Sequence, residues 1–170
     1  MRSEPLLQSS ECLLELGRWI VGPAGWLLTS VVGEKHSRGV DFRMMDAGFN
    51  NALAACGMMG TVLRRNWRLH NVSARGSDTF PYTLAGPLCT SIDVIASDVV
   101  LPCLQQDDIV AIENSGAYGL TASPTRFISH PEPREILLVG NATIDVTESR
   151  ANEWPNEQAR SRNAESDPGQ

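Results

Sequence analysis

From Gly17 to Gly140 the chain is a succession of short apolar runs rich in Val, Ile, Leu and Trp, each cut off by Gly, Pro, Asn or Asp. Runs of this length between turn residues mark strands, and a long series of them folds as a mainly β barrel or sandwich. The pattern predicts strands over residues 19–32 with a break at 22–25, over 40–45, 61–72, 82–85, 109–114 and 136–139, and a weaker one over 142–146. Residues 33–39 carry two glycines with polar filler and are expected to be a hairpin loop; QQDD at 105–108 precedes a strand. Residues 50–59, NNALAACGMM, are rich in Ala, Leu and Met behind an asparagine able to cap, which predicts a short helical insertion. Beyond Glu148 the only large apolar residue is Trp154. Such a segment buries too little surface to offset its ordering entropy, so 149–170 is expected to be a disordered polar tail.

At 170 residues, 42% hydrophobic and 20% charged, the chain has the composition of one ordinary globular domain or slightly more. Its 14 Lys+Arg against 20 Asp+Glu give a net charge of −6, which argues against nucleic acid as a partner, while small anions stay open because a pocket's local field can oppose the net charge. No stretch approaches the roughly 18–20 apolar residues of a membrane helix, and MRSEPLLQSSE has no long apolar run behind its charge, so a cytoplasmic protein is expected. Cys12, Cys56, Cys89 and Cys103 stand far apart, without a CxxC pair or a neighbouring histidine, and read as free thiols with no metal site. Lys35 is the only lysine, which limits any chemistry needing an amine.

Three clusters have chemical potential. In ELGR (15–18), Gly17 lets backbone approach a ligand and Arg18 presents a planar set of donors suited to phosphate or carboxylate; the bland reading is a surface ion pair. In NSGAYG (114–119), small residues around Tyr118 present N–H groups and a phenol to an anion, unless this is only a glycine turn with a packed tyrosine. In GPLCTSID (86–93), Cys89 is a thiol in a Gly-Pro turn with an acid four residues on, a general acid or simply a small buried hydrophobe. Singly, none identifies a function.

In this order, LELGRWIVGPAG, MMDAGFNNALAACG, GPLCTSIDV, LPCLQQDDIVAIENSGAYG and ISHPEPREILL resemble the C-terminal β domain of the fold-type III pyridoxal-phosphate decarboxylases, which act on diaminopimelate, ornithine or arginine. Within that group, CGMMGTVLRRNW, GPLCTSID and GAYGLTASPTRFISHPEP are most similar to the branch associated with exosortase clusters and with decarboxylation of glutamyl groups on acyl carrier proteins. The resemblance divides the chain into a barrel junction (1–14), the β domain (15–148) and the tail (149–170).

It also implies roles. The cofactor is pyridoxal 5'-phosphate, with Glu15 facing its ring nitrogen, Gly17 and Arg18 at its phosphate, and Gly116 with Tyr118 as a second phosphate contact. Cys89 returns a proton to the carbon that loses carbon dioxide, in the neighbouring subunit's site, while Asp46 and Asp93 belong to the substrate pocket. The partners implied are a second copy or a barrel-containing chain, and an amino-acid or carrier-tethered substrate. Leu16 stands where the family has proline. Thr90 replaces the acid that follows the cysteine in relatives reading a distal ammonium, and 50–55 lack the arginine placed near there for a distal carboxylate. These losses favour a substrate tethered through its side chain. The β/α barrel of roughly 250 residues that precedes the domain in such enzymes, with its cofactor-bearing lysine, is absent from this sequence, and Lys35 in its loop is no substitute. The expectation is therefore a decarboxylase part that is inactive alone. The alternatives are a non-catalytic dimerisation or regulatory module derived from such an enzyme, or an amino-acid racemase domain.

Overall fold

In a computed structural model of the chain, residues 11, 13–58 and 65–147 are described. They form two compact units, one ending at His130 and one beginning at Pro131. In the first, β1 (Leu27–Ser37), β2 (Val40–Met45), β3 (Leu69–Asn71), β4 (Thr79–Ala85), β5 (Val94–Pro102) and β6 (Ile109–Ile112) make one six-stranded sheet in the order β3-β6-β1-β2-β4-β5. All pairs are antiparallel except β2 with β4. The mainly β architecture expected from the sequence is the one observed.

The sheet curls almost into a barrel because one strand serves both halves. β1 pairs with β6 through Leu27–Ser30 and with β2 from Val31 onward, and its register slips between Val31 and Gly33. Such a bulge bends a strand and increases its twist. The edges β3 and β5 then come into contact, and asparagine amides stand in for the missing ladder. Asn66 donates to the Ser97 carbonyl at 2.7 Å and accepts from the Ser97 N–H at 3.1 Å, and Asn71 donates to the Cys103 carbonyl at 2.8 Å. Inside lie Val31, Met45, Leu84, Val110 and Ile112, all fully buried. Tyr82 joins them because its phenol oxygen accepts the Leu104 N–H, so the polar tip is satisfied in the core.

Four expectations change. Residues 33–39 are not a loop: β1 continues to Ser37, and only Arg38 and Gly39, with φ of 53° and 77°, form the turn. Lys35 is thus an exposed strand residue. Residues 50–58 are overlapping hydrogen-bonded turns rather than a helix, with bonds such as Ala52 N–H to Gly48 O and Met58 N–H to Leu53 O. Residues 19–21, expected as the start of a strand, are instead the end of a 3-10 turn (Gly17–Trp19) and a turn, and a second 3-10 turn (Gly22–Ala24) fills the expected break at 22–25. The strand expected over 61–72 is reduced to β3, with 61–64 outside the described residues. β5 was not expected at all. Residues 1–10 and the segment 149–170 also fall outside the described residues.

The second unit contains a hairpin of β7 (Ile136–Val139) and β8 (Ala142–Asp145), close to the expected spans, with every strand residue exposed. No helix among the described residues is long and apolar enough to cross a membrane.

Candidate functional site

Two of the three motifs fold against each other. The segment 17–25 and the loop after β6 are joined by backbone bonds from Ser115 N–H to Gly25 O at 2.9 Å and from Gly116 N–H to Gly22 O at 3.0 Å. Approach this close needs glycine on both sides: a Cβ on Gly116 would lie 2.1 Å from the Val21 carbonyl oxygen, and one on Gly25 2.4 Å from Gly116 Cα. Gly17 adopts φ of 52°, a left-handed value that glycine takes without strain. A Cβ there would come within 3.7 Å of the Tyr118 hydroxyl oxygen, so the ELGR turn and the tyrosine are neighbours.

Arg18 is the half-buried centre of this junction. Its guanidinium carbon lies 4.9 Å from the Trp67 ring centroid and 5.4 Å from that of Tyr118. Its only hydrogen bond among the described residues is a long one, from Nη1 to the Ala117 carbonyl at 3.4 Å. A guanidinium has five N–H donors in a planar array, so most of its bonding capacity is uncommitted. Beside it opens a cavity of about 610 Å³, lined by Arg18, Ala54, Asn66, Trp67, Arg68, Glu113 and Asn114. Glu15 is exposed two residues before Gly17.

The third motif forms a separate centre around Asp93. This residue is 2% exposed, and its two oxygens accept the Phe49 and Leu88 N–H groups, both at 2.8 Å. Its own carbonyl accepts the Gly86 N–H. A Cβ on either Gly48 or Gly86 would fall within about 2.5 Å of the Asp93 carboxylate, so both glycines are needed to let the acid in. Asp93 is a buried clamp between the 47–49 and 86–88 backbones. What the clamp presents is Cys89, exposed on the loop it fixes. Asp46 is exposed at the end of β2, its Oδ1 accepting from Thr29 Oγ1 at 2.7 Å and Ser30 N–H at 2.8 Å.

The turns at 48–58 connect the two centres. Phe49 reaches Asp93, Leu53 N–H donates to Ser123 Oγ at 3.0 Å, Phe49 stacks edge-on with Phe127, and Ala54 lines the Arg18 cavity. Within this segment Asn50 is 2% exposed, and its Oδ1 is the buried side-chain acceptor with no donor among the described residues. Sequence reading missed both Asn50 and Trp67. For Trp67 the available signal was an aromatic among Arg64, Arg65 and Arg68; for Asn50 none exists, since a capping asparagine and an unsatisfied one look alike.

The donor set suits a dianionic phosphate: a guanidinium with free N–H groups and, beside it, a phenol. The residues present therefore fit a pyridoxal phosphate group. No metal-ligating cluster exists among the described residues.

Residues 18–116, more than half of the chain, match the family described as pyridoxal-dependent decarboxylase, C-terminal sheet domain. The chain is 37% identical over 129 residues to the L-glutamyl-(BtrI acyl-carrier protein) decarboxylase of Niallia circulans, covering 74% of this chain and 30% of that protein. It is 37% identical over 132 residues to the diaminopimelate decarboxylase of Deinococcus radiodurans, covering 78% and 33%. Among solved structures, the diaminopimelate decarboxylase of Helicobacter pylori complexed with L-lysine superposes with a TM-score of 0.64 at 30% identity, over 76% of this chain and 30% of that one. The M. jannaschii enzyme with L-lysine gives 0.69 at 26% identity, over 77% and 29%. The chain thus spans about a third of the length of these relatives, and the family match over 18–116 includes Arg18, Gly116 and the Cys89 loop. It belongs to the pyridoxal-dependent decarboxylases and carries their C-terminal sheet domain.

Proposed function

We propose that this domain supplies the phosphate-binding and proton-donating side of a decarboxylase active site that removes the α-carboxylate of an aminoacyl substrate as carbon dioxide. The observation that carries the reading is the union of two distant motifs at one place: Gly17–Arg18 and Gly116–Tyr118 form a single cradle with uncommitted donors. When bound, pyridoxal 5'-phosphate supplies the ring that withdraws electrons from the breaking bond. Arg18 and the Gly116–Tyr118 loop hold the phosphate, and Glu15 holds the proton on the ring nitrogen. Cys89 gives its thiol proton to the carbon that has lost carbon dioxide and is reprotonated from solvent. Asp93 contributes by fixing the loop that presents Cys89, and Asp46 lies at the same end of the sheet. The site is shared with a barrel domain and across two copies, in a reducing cytoplasmic setting that keeps the thiol free.

The substrate is one tethered through its side chain. Residues 50–55 lack the arginine that a distal-carboxylate reader would require, and Thr90 follows Cys89 where a distal-ammonium reader would require an acid. The similarity to a decarboxylase of carrier-bound glutamyl groups supports this choice.

The test combines this chain with a separately expressed barrel domain of a relative, pyridoxal phosphate and a glutamyl-loaded carrier protein, and measures released carbon dioxide. Release is expected only with both proteins present, and Cys89→Ala is expected to lower kcat at least about a hundredfold, within the range of a lost general acid. An unchanged rate and product in Cys89→Ala would remove the proton-donor role. Failure of the assembled pair to bind the cofactor would favour the non-catalytic module.

A further inference from the structure

The hairpin β1–β2 has two chemically different faces. Cross-strand partners share a face, so Glu34 with Arg43 and His36 with Asp41 stand on one side, and Gly33 with Met44, Lys35 with Phe42 and Ser37 with Val40 on the other. The first side is electrically closed: Arg43 lies 3.3 Å from Glu34 and His36 2.8 Å from Asp41. The second side forms a groove of about 470 Å³ lined by Lys35, Ser37, Arg38, Val40, Phe42 and Met44. Lys35 and Arg38 have no ion pair among the described residues, so both acids of the hairpin are used and both remaining cations belong to the groove. Arg38 also occupies the first position of a two-residue turn at φ 53°, where asparagine or glycine fits with less strain. On a chain of net charge −6 this hairpin is a local positive exception.

The groove has a direction. Because β2 and β4 run parallel, both lead to the same end of the sheet, one into Asp46 and the other into the Gly86–Asp93 loop that holds Cys89. The cationic turn lies at the opposite end of β2. Val40 to Met45 spans roughly 17 Å at about 3.3 Å per residue, which an extended, thioester-terminated carrier arm can cover.

We propose that this groove docks an anionic carrier protein through its phosphate-bearing arm. Lys35 and Arg38 engage the phosphate and the acidic surface around it, and Val40, Phe42 and Met44 guide the arm toward the Cys89 end. The proposal rests on the tethered-substrate reading above. Cations at the entrance raise the association rate of an anionic partner that the rest of the chain repels, and the apolar stripe accepts the uncharged length of the arm.

The test is binding of the full chain to a fluorescently labelled acyl carrier protein, with and without its phosphate-bearing arm, by anisotropy at low and physiological salt. Wild type is expected to prefer the arm-bearing form, with affinity falling as salt rises. Lys35→Glu combined with Arg38→Asn is expected to weaken that binding at least tenfold and flatten the salt dependence. Asparagine at 38 favours the same turn, so the hairpin is retained, and Val100→Ser on β5 serves as an exposed control expected to change nothing. Tight binding that the double variant leaves unchanged overturns the docking site and leaves the tethered-substrate reading intact. No binding of wild type to a loaded carrier, with turnover of free amino acids in the complemented enzyme, overturns both.

Discussion

At the scale of single residues, the site is held by groups whose chemistry permits one substitution fewer than their size suggests. Asp93 accepts two backbone N–H groups through its two oxygens. In Asp93→Asn one of those oxygens becomes an NH2, which turns a donor toward a donor and leaves a buried N–H unpaired. The expected loss is about 1–3 kcal/mol, read by urea denaturation, with Cys89 becoming more reactive toward a thiol reagent as its loop loosens. Gly116→Ala tests the other centre. Its Cβ would meet the Val21 carbonyl, a backbone atom that cannot swing aside, so the 17–25 and 114–119 segments must separate. Cofactor affinity of the complemented enzyme is expected to fall at least tenfold, with a smaller effect from Tyr118→Phe, which keeps the ring against Arg18. Equal affinity in Gly116→Ala would show that the cradle does not hold the phosphate.

At the scale of elements, the alternating strands were legible and the irregular ones were not. The runs at 82–85, 109–112 and 136–139 announce themselves by apolar residues between turn formers. β5 does not, because Ser97 and Asp98 interrupt it, Asp98 sits at φ 52°, and the pairing with β4 slips at Tyr82–Leu84 and Leu84–Ala85. Period-two reading fails when the register itself is broken. The polar stretch 33–37 reads as loop for the opposite reason: Glu34 and His36 find partners in Arg43 and Asp41 across the hairpin, and no apolar pattern signals such pairing. The site motifs were visible, whereas their convergence was not, since the contact between Gly22 and Gly116 spans most of the domain.

The β7–β8 hairpin carries a prediction at this scale. The Thr147 hydroxyl, then Arg134, bond to the Asp145 carboxylate and hold its pKa at about 2 against an ordinary 3.8. A depressed acid stabilises the folded form at every pH above its unfolded value, and that contribution disappears as pH falls from about 4 toward about 2. The carboxyl carbon of Asp145 is expected to titrate near pH 2 by NMR, and hairpin amide signals to weaken across the same window. Thr147→Val is expected to move the titration back toward the ordinary value; a midpoint near 3.8 in the unaltered chain would contradict the bonding described.

At the scale of the whole molecule, the apolar residues left outside the core decide the behaviour of the chain in solution. Leu13, Leu14, Trp19 and Ile20 are between 76% and 83% exposed, and Trp26 and Leu28 more than half exposed, all close to the Arg18 junction in sequence. A single exposed leucine is ordinary, but a concentration of large side chains along one segment marks a contact surface. The chain is therefore expected to self-associate as concentration rises, shown by sedimentation velocity, and Trp19→Ser with Ile20→Ser is expected to shift it toward monomer without lowering its melting temperature. If this segment is also where a barrel domain packs, adding that domain competes with self-association, and the two equilibria are linked by mass action. The Trp19 and Ile20 substitutions then weaken barrel binding and self-association together. Clean monomers of the unaltered chain at high concentration would refute the contact surface, and self-association that persists undiminished in a saturated complex would place the two contacts on different faces.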